Sequence, residues 1–110
     1  MQFIENYYNQ INKLIINPEI EINLYKLRDL IIKCSSNNGN IYFIGNGGSS
    51  STASHVTVDM TKNAKIRAFN FNESNLITCL SNDYCYEDFF TEALKLYSVN
   101  SNDLIIILSC

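Results

Sequence analysis

Eleven residues, GNGGSSSTASH from Gly45 to His55, hold three of the four glycines of this chain and its only histidine. Glycines at 45, 47 and 48 let the backbone come close to a ligand, and Asn46 and Ser49 offer side-chain hydrogen bonds. His55 and Asp59 stand four residues apart, so on a helix they share one face and can hold one metal ion or one substrate oxygen between them. Two donors do not fill a metal site, and a simple His-to-Asp hydrogen bond remains the alternative. Likewise the glycine turn can be a plain strand-to-helix corner capped by Ser49 or Ser50. Two familiar phosphate motifs fail on these residues. A Walker A loop needs a lysine after its last glycine, where Gly48 is followed by serines, and in the dinucleotide fingerprint Ser50 takes the place of the third glycine. A nicotinamide cofactor is therefore not indicated. Further along, the pair Asn82-Asp83 reads by itself as a turn or a cap.

The elements around the turn decide where these groups point. NIYFI before it is an apolar, β-favouring run, and the residues from about Ser50 to Thr61 suit a helix, which makes strand, glycine turn, helix. Upstream, Phe3, Ile4, Tyr7, Tyr8, Ile11, Leu14 and Ile15 recur at three- and four-residue steps and mark an amphipathic helix ending near Asn17. Asn17 then caps a second helix, with Pro18 at its first position and Ile20, Leu24, Leu27, Leu30, Ile31 and Cys34 along one stripe, until SSNNGN stops it. These two helices need an apolar partner surface, which a second subunit can supply. Downstream follow a strand in KIRAFNF, a short helix in ESNLITCLSND, a longer helix in YEDFFTEALKLYSV with Phe89, Phe90, Ala93, Leu94 and Tyr97 inward, and a strand in DLIIILS. The unbroken run Leu104 to Leu108 predicts a strand buried on both faces. Alternating strands and helices predict a parallel, doubly wound α/β sheet.

Composition narrows the function classes. At 110 residues with 46% apolar content, the chain makes one domain at most, with enough material for a core. Charged residues are only 17% and the net charge is -3, which argues against nucleic acid or an anionic membrane as partner. The absence of a basic leader and of a long apolar run predicts a cytoplasmic protein. Four cysteines, Cys34, Cys79, Cys85 and Cys110, form no CxxC pair and are expected to be reduced and mostly buried.

Taken together, GNGGSSSTASHVTVDM, CLSNDYCYEDFF and DLIIILSC resemble, in this order, the phosphoheptose (sedoheptulose 7-phosphate) isomerases of the sugar isomerase, or SIS, domain superfamily. The resemblance implies an α/β SIS domain with a flavodoxin-like strand order, two leading helices over residues 1–37 and the first three strands with their crossovers over 40–110. It implies that Asn46, Gly47, Gly48 and Ser49 contact the polyol chain of a sugar phosphate, that Asn82 and Asp83 contact substrate too, and that Ser109 and Cys110 open a phosphate-binding loop. It places His55 and Asp59 as ligands of zinc or another divalent metal and Asp59 as catalytic base, where the better-known members carry glutamate.

The activity so implied is the aldose-ketose isomerisation of sedoheptulose 7-phosphate to a heptose 7-phosphate through an enediol, in a homotetramer. The alternative is a non-catalytic SIS module that binds a sugar phosphate or a protein partner. By the same resemblance the rest of the phosphate loop and late metal and acid/base residues are missing, so the 110-residue chain is expected to be an incomplete domain, inactive alone, with the outer edge of its third strand open.

Overall fold

The computed structural model describes residues 1–15 and 17–109, so the expectation for Cys110 lies outside the described residues. The chain divides into two compact units, Met1–Ile32 and Lys33–Cys110.

The first unit holds α1 (Gln2–Ile15) and most of α2 (Pro18–Ser36). Asn17 caps α2 as its type predicts, its Oδ1 accepting from the Glu19 N–H at 2.9 Å. α1 has the expected amphipathic pattern, yet none of its residues is buried: Phe3, Tyr7, Tyr8, Leu14 and Ile15 all remain more than half exposed.

The second unit runs β1 (Ile41–Gly45), α3 (Gly48–Lys62), β2 (Ala68–Asn70), α4 (Ser74–Asp83), α5 (Phe89–Leu96) and β3 (Leu104–Leu108). All pairing is parallel and the strand order is β2-β1-β3, the beginning of the expected flavodoxin-like order. β1 lies centrally and every one of its residues is buried. Tyr42 and Ile44 face a core of Phe71, Leu80, Phe89 and Ala93, to which Leu76, Ile77, Phe90 and Leu94 from α4 and α5 add. Phe71 and Tyr97 pack edge to face at 5.0 Å, so Tyr97 meets this core although it is itself half exposed. At the amino ends of the strands, Asp103 accepts from the Asn40 N–H at 2.7 Å and from the Asn100 N–H at 2.9 Å, which locks the start of β3 beside that of β1.

Three expectations need correction. β3 is not buried on both faces: its residues alternate between half-buried and exposed, and Ile107 is 69% exposed. Among the described residues it pairs with β1 alone, and the face carrying Ile105 and Ile107 lies beyond the core under α4 and α5. The three described cysteines are free, and of them only Cys34 is buried, because Cys79 and Cys85 fall on the outer side of α4 and in the loop after it. Finally α3 begins at Gly48, with Gly47 rather than Ser49 or Ser50 at the capping position and no side-chain cap.

Candidate active site

The glycine turn works because two of its positions tolerate only glycine. A Cβ on Gly45 would stand 2.6 Å from the Ser49 carbonyl carbon and oxygen, so the absence of a side chain lets α3 start directly above the end of β1. Gly47 has φ 55° and ψ -124°, a conformation that an L side chain rarely adopts. The first turn of α3 is closed by the Ser49 N–H on the Asn46 carbonyl at 3.1 Å and by the Ser50 N–H on the Gly47 carbonyl at the same distance. Ser50 turns its hydroxyl back to the Gly47 carbonyl at 2.7 Å instead of capping. The Gly48 N–H has no acceptor among the described residues, so the helix start presents a free donor.

Asn46 projects from this turn. Its Oδ1 accepts from the Gly47 N–H at 2.9 Å and from the Tyr86 hydroxyl at 2.9 Å. On one side a small hollow of about 110 Å³ opens between Asn46, Ser50, Asn72, Tyr86 and Phe89. On the other a cleft of about 370 Å³ runs from Gly45 and Asn46 past Phe90 and Thr91 to Ser109 at the end of β3. The structure thus brings Asn46 and Ser109 together at the carboxyl ends of adjacent strands, where open parallel sheets collect ligands. Among the described residues none that lines either space carries a charge, so an anion there would meet backbone and hydroxyl or amide donors.

Asn72 and Tyr86 are the polar residues that sequence reasoning missed. Asn72 donates from Nδ2 to the Ser50 carbonyl and to Ser54 Oγ, both at 2.7 Å, tying the loop after β2 to α3. Its place just after KIRAFNF was the available signal; for Tyr86 it was a place inside CLSNDYCYEDFF, although nothing local pairs it with Asn46 forty residues away.

His55 and Asp59 do meet, with Nε2 and Oδ2 3.4 Å apart on the outer side of α3, and both are largely exposed. They line neither space next to the glycine turn. Their separation matches the edge of a tetrahedron with metal-ligand bonds of about 2.1 Å, about 3.4 Å. The pair therefore fits two corners of such a site, but among the described residues no third His, Cys, Asp or Glu joins it.

Asn82 and Asp83 end α4, exposed, and bond to each other at 3.1 Å. Asp83 also accepts from the Cys79 thiol at 3.5 Å and Asp88 from the Cys85 thiol at 3.1 Å, and these hydrogen bonds raise both thiols above their ordinary pKa. Held protonated, neither is an activated nucleophile. Among the described residues no helix is long and apolar enough to cross a membrane.

No family model matches the chain. It is similar to the phosphoheptose isomerase of Helicobacter pylori strain ATCC 700392 / 26695, 34% identical over 86 residues, which make up 73% of this chain and 44% of that protein. It is also similar to the phosphoheptose isomerase of Leptospira biflexa strain Patoc 1 / Ames, 30% identical over 97 residues, 81% of this chain and 49% of that one. Among solved structures, phosphoheptose isomerase GmhA from Neisseria gonorrhoeae superposes with a TM-score of 0.78 over 98% of this chain and 56% of its own, at 24% identity, and so shares the fold. The chain spans about half the length of the curated relatives it matches. By its sequence, and in agreement with its fold, the chain belongs to the phosphoheptose isomerase family.

Proposed function

We propose that the protein is an aldose-ketose isomerase of a seven-carbon sugar phosphate, converting sedoheptulose 7-phosphate to a heptose 7-phosphate through an enediol. The observation that carries the proposal is the cleft joining Asn46 to Ser109 beside the start of α3, in a chain similar to isomerases of that name. In this reading the donors of Asn46 and the first turn of α3, with Gly47, Gly48 and Ser49, hold the hydroxyls of the sugar. Ser109, and Cys110 beyond the described residues, begin the grip on the phosphate. A phosphate held away from the reacting carbons fixes their orientation. Asn82 and Asp83 approach the same substrate from α4. The reacting end of the sugar extends out of the cleft along α3 to Asp59, which takes the proton from the carbon next to the carbonyl and returns it to the neighbouring carbon, while a hydroxyl proton moves between the two oxygens. His55 and Asp59 would hold a divalent ion such as zinc, which when bound supplies Lewis-acid polarisation of the carbonyl oxygen. The same reading makes the chain part of a single SIS domain in a cytoplasmic homotetramer, with α1 and α2 providing the contact.

The test is conversion of sedoheptulose 7-phosphate by the full-length protein and its variants. Asp59→Asn should lower turnover by about two to four orders of magnitude while sugar-phosphate binding survives, the usual effect of removing a positioned base. His55→Ala should lose equilibrium zinc affinity. Turnover near wild type in Asp59→Asn would assign the base elsewhere, and binding without turnover in the wild type would favour the non-catalytic alternative.

A further inference from the structure

The Asn46 amide is held in one orientation from both sides. Its oxygen has two lone pairs, and both are engaged, one by the Gly47 N–H and one by the Tyr86 hydroxyl, each at 2.9 Å. The Gly47 N–H can only donate, so the side chain cannot turn its NH2 group toward the turn without facing another donor. The two Nδ2 hydrogens have no acceptor among the described residues, and Asn46 lines both the small hollow and the larger cleft. Tyr86 lies in the segment between α4 and α5, so its hydroxyl also ties that segment to the glycine turn.

We propose that Tyr86 is a positioning residue: its hydroxyl fixes the Asn46 amide so that Nδ2 is presented, ready oriented, to a hydroxyl or carbonyl oxygen of the ligand. The inference rests on the sugar-phosphate reading for the identity of that ligand, and on geometry alone for the orientation. Ordering Asn46 before the ligand arrives removes the cost of ordering it on binding. Tyr86 itself does not touch the reacting atoms. Its removal should therefore raise KM and leave kcat near its starting value.

The experiment compares wild type, Tyr86→Phe, Asn46→Ala and the double variant in the full-length protein. Tyr86→Phe deletes one hydroxyl, and KM for sedoheptulose 7-phosphate should rise about three- to ten-fold, the effect of one hydrogen bond. Because Tyr86 acts through Asn46, the same change in the Asn46→Ala background should add less than twofold. Independently of any substrate, the NMR signals of the Asn46 side-chain amide and the Gly47 N–H should shift in Tyr86→Phe. An unchanged KM together with unmoved amide signals would overturn the proposal, as would a full additive effect in the Asn46→Ala background. If the wild type neither binds nor converts the sugar phosphate, the functional reading fails and the amide signals alone decide the role of Tyr86.

Discussion

Ile44 in β1 and Ile107 in β3 are the same residue, paired in register on adjacent parallel strands, yet one is 5% exposed and the other 69%. Both belong to short apolar runs, IYFIG and LIIIL, that look alike in sequence. Ile44 belongs to the central strand and shares the core with Phe71 after β2 and with Leu80, Phe89 and Ala93 from α4 and α5. Ile107 has one neighbouring strand among the described residues and forms part of the wall of an open cleft. Burial here is a property of neighbours, and the cleft opens where the enclosed strand β1 and the uncovered strand β3 end side by side.

Truncating the two isoleucines in the 110-residue chain should separate them. Ile44→Ala should cost about 2–4 kcal/mol, the usual range for a large core residue cut to alanine. Ile107→Ala should stay within about 0.5 kcal/mol, as exposed substitutions do. Urea unfolding of both variants is the measurement, and equal losses would mean that β3 is covered in solution.

A smaller effect is expected where β1 runs into its turn. Gly47→Ala places a side chain at φ 55° and ψ -124°, and should cost about 1–3 kcal/mol of backbone strain. Gly48→Ala meets nothing within 4 Å and should be neutral or slightly stabilising. A thermal melt of the two variants separates them, and a tolerant Gly47 would show that the turn is not held by its backbone conformation.

The smallest effect concerns pH. Burial raises the Tyr42 hydroxyl and the Cys34 thiol above their ordinary pKa, and the nearby Asp103 carboxylate adds to both shifts. The unfolded chain therefore loses these protons first. The stability they confer is complete below the ordinary thiol and phenol ranges and is lost as pH rises through the higher folded values. Urea midpoints should fall between about pH 8 and about pH 11, and fall less in a Tyr42→Phe, Cys34→Ala variant. Identical slopes in the two proteins would contradict the burial of these groups.

Much of the fold was legible because it is local. The Asn17 cap, the glycine turn, the helix closed by SSNNGN and the alternation of strands and helices all follow from residues a few positions apart. The stagger of Phe89, Phe90, Ala93 and Leu94 likewise placed the inner face of α5. Of the candidate site, the Asn46 turn and the His55–Asp59 pair could be read from spacing, since four residues on a helix bring two side chains to one face. Illegible were the long-range partners: Tyr86 on Asn46, Asn72 on Ser50 and Ser54, and Asp103 across to Asn40.

The sequence by itself determined the elements, their parallel arrangement and the position of the glycine corner, because backbone preference and periodic burial act over one or two turns of chain. Only the tertiary structure decided which apolar strand is enclosed, that Asn46 and Ser109 share a cleft while His55 and Asp59 stand apart from it, and which way the Asn46 amide faces. Those outcomes depend on what lies across the sheet or forty residues away, and no local preference encodes the identity of a distant neighbour.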